Sequence, residues 1–154
     1  MTQIDDFDLK ILTLLETNGR LTNQELSDLV GLSASQCSRR RISLEQSGMI
    51  LGYHARLSPD AVGLGVIGLI EVRLINHTAD YVDSFHRMVA GQSAIVDAYK
   101  TTGDADYLLK VAVGDLAGLS ALISQLVAGQ QSIAHVKTSV VLNRLKENGV
   151  LTRT

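Results

Sequence analysis

The chain has 154 residues, 45% of them hydrophobic, and a formal net charge of −2. This length and apolar content are sufficient for one or two packed cores without disulfides or a structural metal. The longest apolar stretch, Val66 to Ile70, is far shorter than the roughly 20 residues of a membrane span, and the acidic N-terminal region has no signal-peptide pattern, so we expect a cytoplasmic protein.

Three helices are predicted in residues 1–52, which we assign to a helix-turn-helix DNA-binding domain. Early acidic residues and a helical spacing of leucines indicate a helix over 5–18, ended by an Asn-Gly pair. Capping boxes of the form Thr-x-x-Glu and Ser-x-x-Gln begin a second helix over 22–31 and a third over 33–47. Two capped helices joined by a short turn are typical of a helix-turn-helix, whose second helix enters the major groove.

The outward face of the third helix has the chemistry of a DNA-reading surface. At about 100° per residue, Cys37 and Leu44 share the inner face and Arg39 projects from the opposite side. Arginine can bind guanine in a bidentate manner, glutamine can pair with adenine, and serine hydroxyls can reach bases or phosphates. The candidate DNA contacts are Ser33, Ser35, Gln36, Ser38, Arg39, Arg40, Ile42 and Ser43.

Several observations leave this interpretation open. The overall charge balance, with a pI near 6.0, is not that of a nucleic-acid binder, and an arginine cluster also occurs on an ordinary solvated face. Arg40 lies beside the outward face and is the better phosphate candidate, whereas Arg41 projects near the buried side, where we expect a salt bridge or a snorkelling side chain. Ile42 can touch a thymine methyl group, although packing against the following segment is the simpler alternative.

Residues 53–64 are predicted as a linker strand. Gly48 to Leu57 alternate in the manner of a short strand, which would form a small wing beside the helix-turn-helix. Ser58-Pro59 contains the single proline and marks a break in the pattern. We assign the residues after this break to a second domain over 65–142 and a C-terminal tail over 143–154.

The pattern from 65 to 142 predicts a ferredoxin-like βαββαβ domain, which makes the fold class α+β. Both faces of its first strand are apolar, since Ile67 and Leu69 lie opposite the set that includes Ile70. Helices cover only one face of such a sheet, so the other requires a partner, and a second copy would bury it in a symmetric interface. The predicted elements are strand 65–75, helix 80–89, strand 95–102, strand 107–113, a helix capped by Asp115, and strand 133–142.

The order of these motifs resembles the Lrp/AsnC family, the leucine- and asparagine-responsive or feast/famine regulators. The resemblance spans residues 5–142 and is carried by Gly48–Tyr53 after the arginine-rich helix and by Thr102–Tyr107 at the hairpin. It implies a sequence-specific transcription regulator, cytoplasmic and nucleoid-associated, that binds double-stranded DNA. It further implies a ligand-sensing domain that binds an amino-acid effector near the contact between dimers, and homodimers that often assemble into octamers.

The turn before the last strand departs from the family pattern. Where relatives commonly have a Leu-Pro-Gly-Val-like turn, this chain has Ala-Gly-Gln-Gln-Ser-Ile at residues 128–133. The resemblance therefore does not identify the effector.

The loop between the second and third strands is the candidate effector site. A zwitterion needs acceptors for its ammonium, which Asp104 and Asp106 offer, and donors for its carboxylate, which Thr102 and the amides around Gly103 offer. An ordinary hairpin loop with surface aspartates is the alternative. Further candidates, which depend on the last strand lying beside this loop, are Ser132 and Thr138.

No catalytic or metal-binding set emerges from the sequence. The four histidines are scattered, the single cysteine has no nearby activating group, and no cofactor motif is present. We expect neither an enzyme nor a cofactor other than the effector. The alternatives are a small enzyme on the same fold, which would need a general base, and a ligand-binding oligomer with a vestigial N-terminal part, which would not bind DNA.

Overall fold

A computed structural model describes residues 4–152 of the chain, which divide into two compact units. Of the described residues, the N-terminal unit contains 4–56 together with 146–152, and the C-terminal unit contains 57–145. Glu16 joins the two chain segments of the N-terminal unit, because its carboxylate accepts hydrogen bonds from the amides of Leu151 and Thr152. None of the described helices is long and apolar enough to cross a membrane.

The N-terminal unit contains the three predicted helices: α1 (Asp6–Thr17), α2 (Asn23–Val30) and α3 (Ala34–Gln46). Each begins at a reciprocal capping box, including one in α1 that pairs Asp5 with Asp8, and these boxes satisfy backbone amides that the helix leaves unpaired. Apolar side chains from all three helices form one small core, whose buried members are Ile11, Leu15, Leu26, Val30, Cys37 and Leu44.

The strand and wing predicted over Gly48–Leu57 are not formed. The amides of Met49 and Ile50 instead donate to the carbonyl of Leu44 at 2.9 and 3.1 Å, which closes the C-terminus of α3. Both side chains then pack against the helical core. The apolar residues at the start of this segment are therefore explained by packing on helices rather than by pairing with a strand.

The C-terminal unit is the predicted βαββαβ domain. Its strands form a single antiparallel sheet in the order β2-β3-β1-β4, and a short 3-10 turn at Pro59–Val62 precedes it. The predicted second and last strands each end two residues early. The elements are β1 (Val66–Leu74), α4 (Ala79–Gly91), β2 (Ile95–Lys100), β3 (Tyr107–Val113), α5 (Leu116–Gly129) and β4 (Ile133–Val140).

Both helices of this unit pack on the same face of the sheet. Gly68 lets α5 approach closely, because a Cβ atom there would lie only 3.1 Å from Leu119. Ile70, Leu109 and Phe85 of α4 are fully buried in the core between the sheet and the helices. This agrees with the prediction that one sheet face is covered by helices.

The opposite side, which we call the open face, carries the other alternating set of side chains. Ile67 pairs with Ala112, and both side chains are buried, whereas Leu69 pairs with Lys110 and Glu71 with Leu108, so apolar and charged side chains alternate along this face. Charged pairs lie on it, with Lys137 3.4 Å from Glu71. Leu69 is only half-buried. The remaining open-face positions, by register, are Asp97, Tyr99, His135 and Ser139, together with Arg73.

Candidate DNA-binding helix and effector cleft

The predicted orientation of α3 is confirmed. Cys37 and Leu44 are buried, whereas Arg39 is exposed and Ile42 leaves 48% of its surface in solvent. Ser38 is half-buried on the flank of the helix. The other candidate contacts on the exposed surface are Ser33, Ser35, Gln36 and Ser43.

Two of these polar side chains have a structural task as well. The Ser33 hydroxyl accepts a hydrogen bond from the backbone amide of Gln36 at 3.2 Å, and the side-chain Oε1 of Gln36 accepts one from the backbone amide of Ser33 at 3.0 Å. The same hydroxyl lies 3.1 Å from that of Ser35. These residues fix the first turn of α3, the turn from which a recognition helix contacts base edges.

The salt bridge expected for Arg41 is confirmed. Its Nη1 donates to the carbonyl of Leu21 at 2.8 Å, and its Nε lies 3.3 Å from Glu45. The guanidinium also stacks over the Tyr53 ring, 4.8 Å from the centroid. Arg41 therefore connects α3 to the turn before α2 and to the segment that follows α3.

Arg40, predicted from sequence as a phosphate contact, forms ion pairs within the N-terminal unit. Its Nη1 lies 2.8 Å from Asp5 and 2.7 Å from Asp8, and the guanidinium lies 5.6 Å from the Phe7 ring centroid. The hydrogen bonds that Arg40 donates to Asp8 and Asp5 raise the pKa of its guanidinium. Of the three consecutive arginines, Arg39 is the one for which the described residues show no ion pair.

The loop between β2 and β3 is fixed to the end of β1 through Asp106. One oxygen of this carboxylate accepts from the amide of Leu74 at 2.7 Å, and the other lies 2.8 Å from His77 Nε2. Burial alone would raise the pKa of Asp106, but these hydrogen bonds and the nearby charges of His77 and Arg73 outweigh it and lower the pKa. Because each oxygen has a partner on another segment, Asp106 holds the loop in place.

The remaining loop residues are exposed beside this anchor. Gly103 has a φ of +108°, a conformation that favours glycine, and Thr102 and Asp104 are exposed on either side of it. The Thr101 hydroxyl donates to the carbonyl of Ala105 at 2.9 Å, which closes the base of the loop. The loop therefore presents one exposed carboxylate in a fixed backbone.

Asp104 lines two adjoining clefts, of about 480 and 220 Å³, which we call together the effector cleft. Glu71 lies in both clefts and adds a second carboxylate, whereas Arg73 and Lys137 line the smaller one and supply positive charge. Acceptors for an ammonium and donors for a carboxylate are thus brought together. Sequence reasoning missed the strand residues, since charged groups alternating along a strand are also typical of a solvated face. The other lining residues are Leu69, Val72, Thr101, Thr102, Ala105, Leu108, His135 and Ser139.

Ser132 and Thr138 are not brought together with the loop. Ser132 is buried in a separate cleft beside the start of α4 and the end of α5, and its hydroxyl lies 3.5 Å from Gln130. Thr138 pairs with Ile70 and so lies on the helix-covered face, where its hydroxyl is buried without a hydrogen-bond partner. The β4 residues in the effector cleft are instead those on the opposite face of the strand.

No group of three or more His, Cys, Asp or Glu side chains in the described part of the chain is arranged to hold a metal ion.

Two family models match the chain, one for each unit. The "AsnC-type helix-turn-helix domain" matches residues 4–45, and the "Lrp/AsnC ligand binding domain" matches residues 68–151. The second model alone spans more than half of the 154 residues.

Curated relatives match over nearly their whole length. The chain is 34% identical over 149 residues to the glutamate uptake regulatory protein of Zymomonas mobilis, covering 97% of this chain and 90% of the relative. It is 32% identical over 148 residues to the leucine-responsive regulatory protein of Haemophilus influenzae, covering 96% of this chain and 89% of the relative.

Solved structures show the same fold. A transcriptional regulator of Neisseria meningitidis, crystallised in complex with L-Met, superposes with a TM-score of 0.90 at 33% identity, covering 99% of this chain and 97% of that one. An AsnC family transcriptional regulator of Agrobacterium tumefaciens gives a TM-score of 0.89 at 30% identity, with 96% of each chain covered.

Replacing the loop anchor should destabilise the C-terminal unit. We expect Asp106→Ala to lower the free energy of unfolding at neutral pH by about 1.5–3 kcal/mol, the range for hydrogen bonds to a charged group. Urea denaturation followed by circular dichroism measures this difference. Asp104→Ala, a change of the same charge in the same loop, is the control and should alter stability by less than about 0.5 kcal/mol.

The effect of Asp106→Ala should also depend on pH. Because the folded-state pKa of Asp106 is lowered, its contribution to stability is fully present above the ordinary value of 3.8 and is lost as the pH falls through the folded-state pKa. The difference between wild type and variant should therefore shrink below that value. A difference that stays constant into strong acid would show that Asp106 contributes no charge-dependent stability.

Proposed function

Because the chain belongs to the Lrp/AsnC family of DNA-binding transcription regulators, we propose that α3 reads operator DNA and that the effector cleft binds an amino acid that alters DNA affinity or assembly. The observation that carries the DNA-binding part is the outward position of Arg39 on a capped recognition helix, with no ion pair among the described residues. The proposed partner is double-stranded DNA in a cytoplasmic, nucleoid-associated setting.

The surface of α3 supplies both kinds of DNA contact in this proposal. Arg39, near the middle of the exposed side, is assigned to a guanine, whose two acceptors match its paired donors. Ile42 is assigned to a thymine methyl group, since it is half-exposed and does not belong to the core of the unit. The serines and Gln36 at the N-terminal end are assigned to phosphates or base edges. Arg40 is not retained as a phosphate contact.

The effector part of the proposal rests on the composition of the effector cleft. Asp104 and Glu71 can accept from an α-ammonium group, and Arg73 or Lys137 can donate to an α-carboxylate. The Neisseria relative binds L-Met, which supports an amino acid as the ligand class. Thr102 and the amide of Gly103 remain candidates for donors at the loop, whereas Ser132 and Thr138 are not retained.

Assembly through the open face completes the proposal. Leu69 and Leu108 stay partly exposed and Tyr99 is exposed on this face, and a second copy of the same sheet would bury them by two-fold symmetry. The effector cleft opens on this same face, so a ligand there would also contact or adjoin a second chain. We propose a homodimer that assembles further, up to an octamer, and a regulator without a catalytic step.

Arg39→Gln should weaken binding to the operator while leaving the fold intact. Loss of one bidentate base contact costs about 1–3 kcal/mol, so the Kd for a duplex selected from a random pool with this protein should rise roughly 5- to 150-fold. Fluorescence anisotropy at fixed salt measures the change. Lys10→Gln, which removes the same charge from an exposed position of α1, is the control. A wild-type Kd for Arg39→Gln would remove this side chain from the interface.

Asp104→Ala should abolish the response to the effector without altering operator binding. A screen of the proteinogenic amino acids by thermal shift identifies the ligands, because binding to the folded state alone raises the apparent stability. We expect one or more amino acids to raise the melting temperature of wild type, and this rise to disappear in Asp104→Ala. The control is Asp83→Ala, an exposed aspartate on α4. An equal rise in Asp104→Ala and wild type would place the ammonium site elsewhere.

A further inference from the structure

Arg40 joins the recognition helix to the capping box that begins α1. Its Nη1 lies between two carboxylates, 2.8 Å from Asp5 Oδ2 and 2.7 Å from Asp8 Oδ1. We propose that Arg40 is a positioning residue, which fixes α3 against the start of α1 so that Arg39 meets its base, and that it makes no phosphate contact itself. This inference rests on the proposed role of α3 in binding DNA.

The two carboxylates divide their oxygens between two tasks. Asp5 Oδ1 accepts from the amide of Asp8 at 2.8 Å, while its Oδ2 contacts Arg40. Asp8 Oδ2 accepts from the amide of Asp5 at 3.3 Å, while its Oδ1 contacts Arg40. The capping box holds both carboxylates in place independently of Arg40. The two aspartate side chains therefore lose less conformational entropy when they bind the guanidinium.

The local charge disfavours a phosphate at this position. One guanidinium faces two carboxylates, so the trio carries a net negative charge. A phosphate would have to displace a partner from Arg40 or approach a group of its own sign. The exposed fraction is 29% for the Arg40 side chain and 16% for that of Asp8, against 49% for Asp5, so the contact with Asp8 is the one partly shielded from competing solvent.

The position of Arg40 on the helix suits it to control rotation. Cys37 and Leu44 fix the inner face of α3 by apolar packing, which tolerates small shifts. Arg40 is attached on the flank and is the direct neighbour of Arg39, so loss of its contacts permits rotation that misaligns the adjacent guanidinium. Bidentate recognition is sensitive to such shifts, since productive contacts require placement within about 0.5 Å and 10–20°.

Charge-neutral replacements separate positioning from phosphate binding. Asp5→Asn with Asp8→Asn removes the charges that face Arg40 but keeps side chains that can cap a helix. We would compare this double variant with Arg40→Gln, with the triple combination and with Arg39→Gln. The control for two lost negative charges is Asp6→Asn with Asp28→Asn, both exposed in the same unit. Each Kd is measured on the selected duplex and on a scrambled duplex over a series of salt concentrations.

If Arg40 positions α3, Arg40→Gln should weaken binding to the selected duplex about tenfold relative to Lys10→Gln. The Asp5/Asp8 double variant should weaken it about tenfold relative to the Asp6/Asp28 double variant. Tenfold lies within the range that one bidentate base contact contributes. The triple variant should bind no more weakly than Arg40→Gln or the Asp5/Asp8 double variant, because all remove the same contact. The ratio of specific to non-specific affinity should fall and the salt slope should stay as in wild type. A merely destabilised fold would lower both affinities together and leave that ratio unchanged.

A phosphate contact would give the opposite pattern and would overturn the inference. Arg40→Gln would then weaken both duplexes alike and reduce the salt slope by about 0.9, while the Asp5/Asp8 double variant would bind more tightly than its charge control. Unchanged specificity in both Arg40→Gln and the double variant would also overturn it. Arg39→Gln distinguishes failure of the inference on Arg40 from failure of the proposed function. If Arg39→Gln also binds like wild type, α3 is not the helix that reads DNA.

Discussion

The architecture of the C-terminal unit depends on the fact that both of its helices cover the same face of one antiparallel sheet. The alternation of β1 forces a second row of side chains, including Ile67 and Leu69, onto the face that α4 and α5 do not reach. Ile67 is buried within the chain, whereas Leu69 stays half-exposed, and the charges beside it form pairs such as Lys137 with Glu71. The effector cleft opens on this face because the β2-β3 loop is anchored to the end of β1 by Asp106. The half-exposed Leu69 and the cleft beside Asp104 therefore lie on one surface.

A helix that binds DNA needs exposed cations, although the chain as a whole has a net charge of −2. Two of the three consecutive arginines are held by contacts within the N-terminal unit. Arg41 contacts Leu21 and Glu45, and Arg40 contacts the capping box of α1. Among the described residues, Arg39 is the one of these three arginines that forms no ion pair. Asp5 and Asp8 thus attach α3 to the start of α1, because both bind Arg40.

The sequence predicted those features that local pattern controls. Capping boxes located the starts of α2 and α3, and helical spacing placed Cys37 and Leu44 inside. It did not predict contacts between distant segments: Arg40 and Asp8, and likewise Asp106 and Leu74, are 32 residues apart. The prediction of a wing was wrong for a related reason: alternation over Gly48–Leu57 does not reveal whether a neighbouring strand exists. Glu71 and Lys137 were missed because only the sheet register brings these strands together beside the loop.

In the proposed assembly, the open face is an interface between copies of this chain and contains the effector cleft. Sedimentation velocity of the intact protein at micromolar concentration tests it most directly, with Leu69→Glu compared with Leu116→Glu, a matched change at an exposed residue of α5. We expect a dimer or larger species for wild type and for Leu116→Glu, and a shift to smaller species for Leu69→Glu. A well-folded wild-type monomer, or an assembly unaffected by Leu69→Glu, would contradict it.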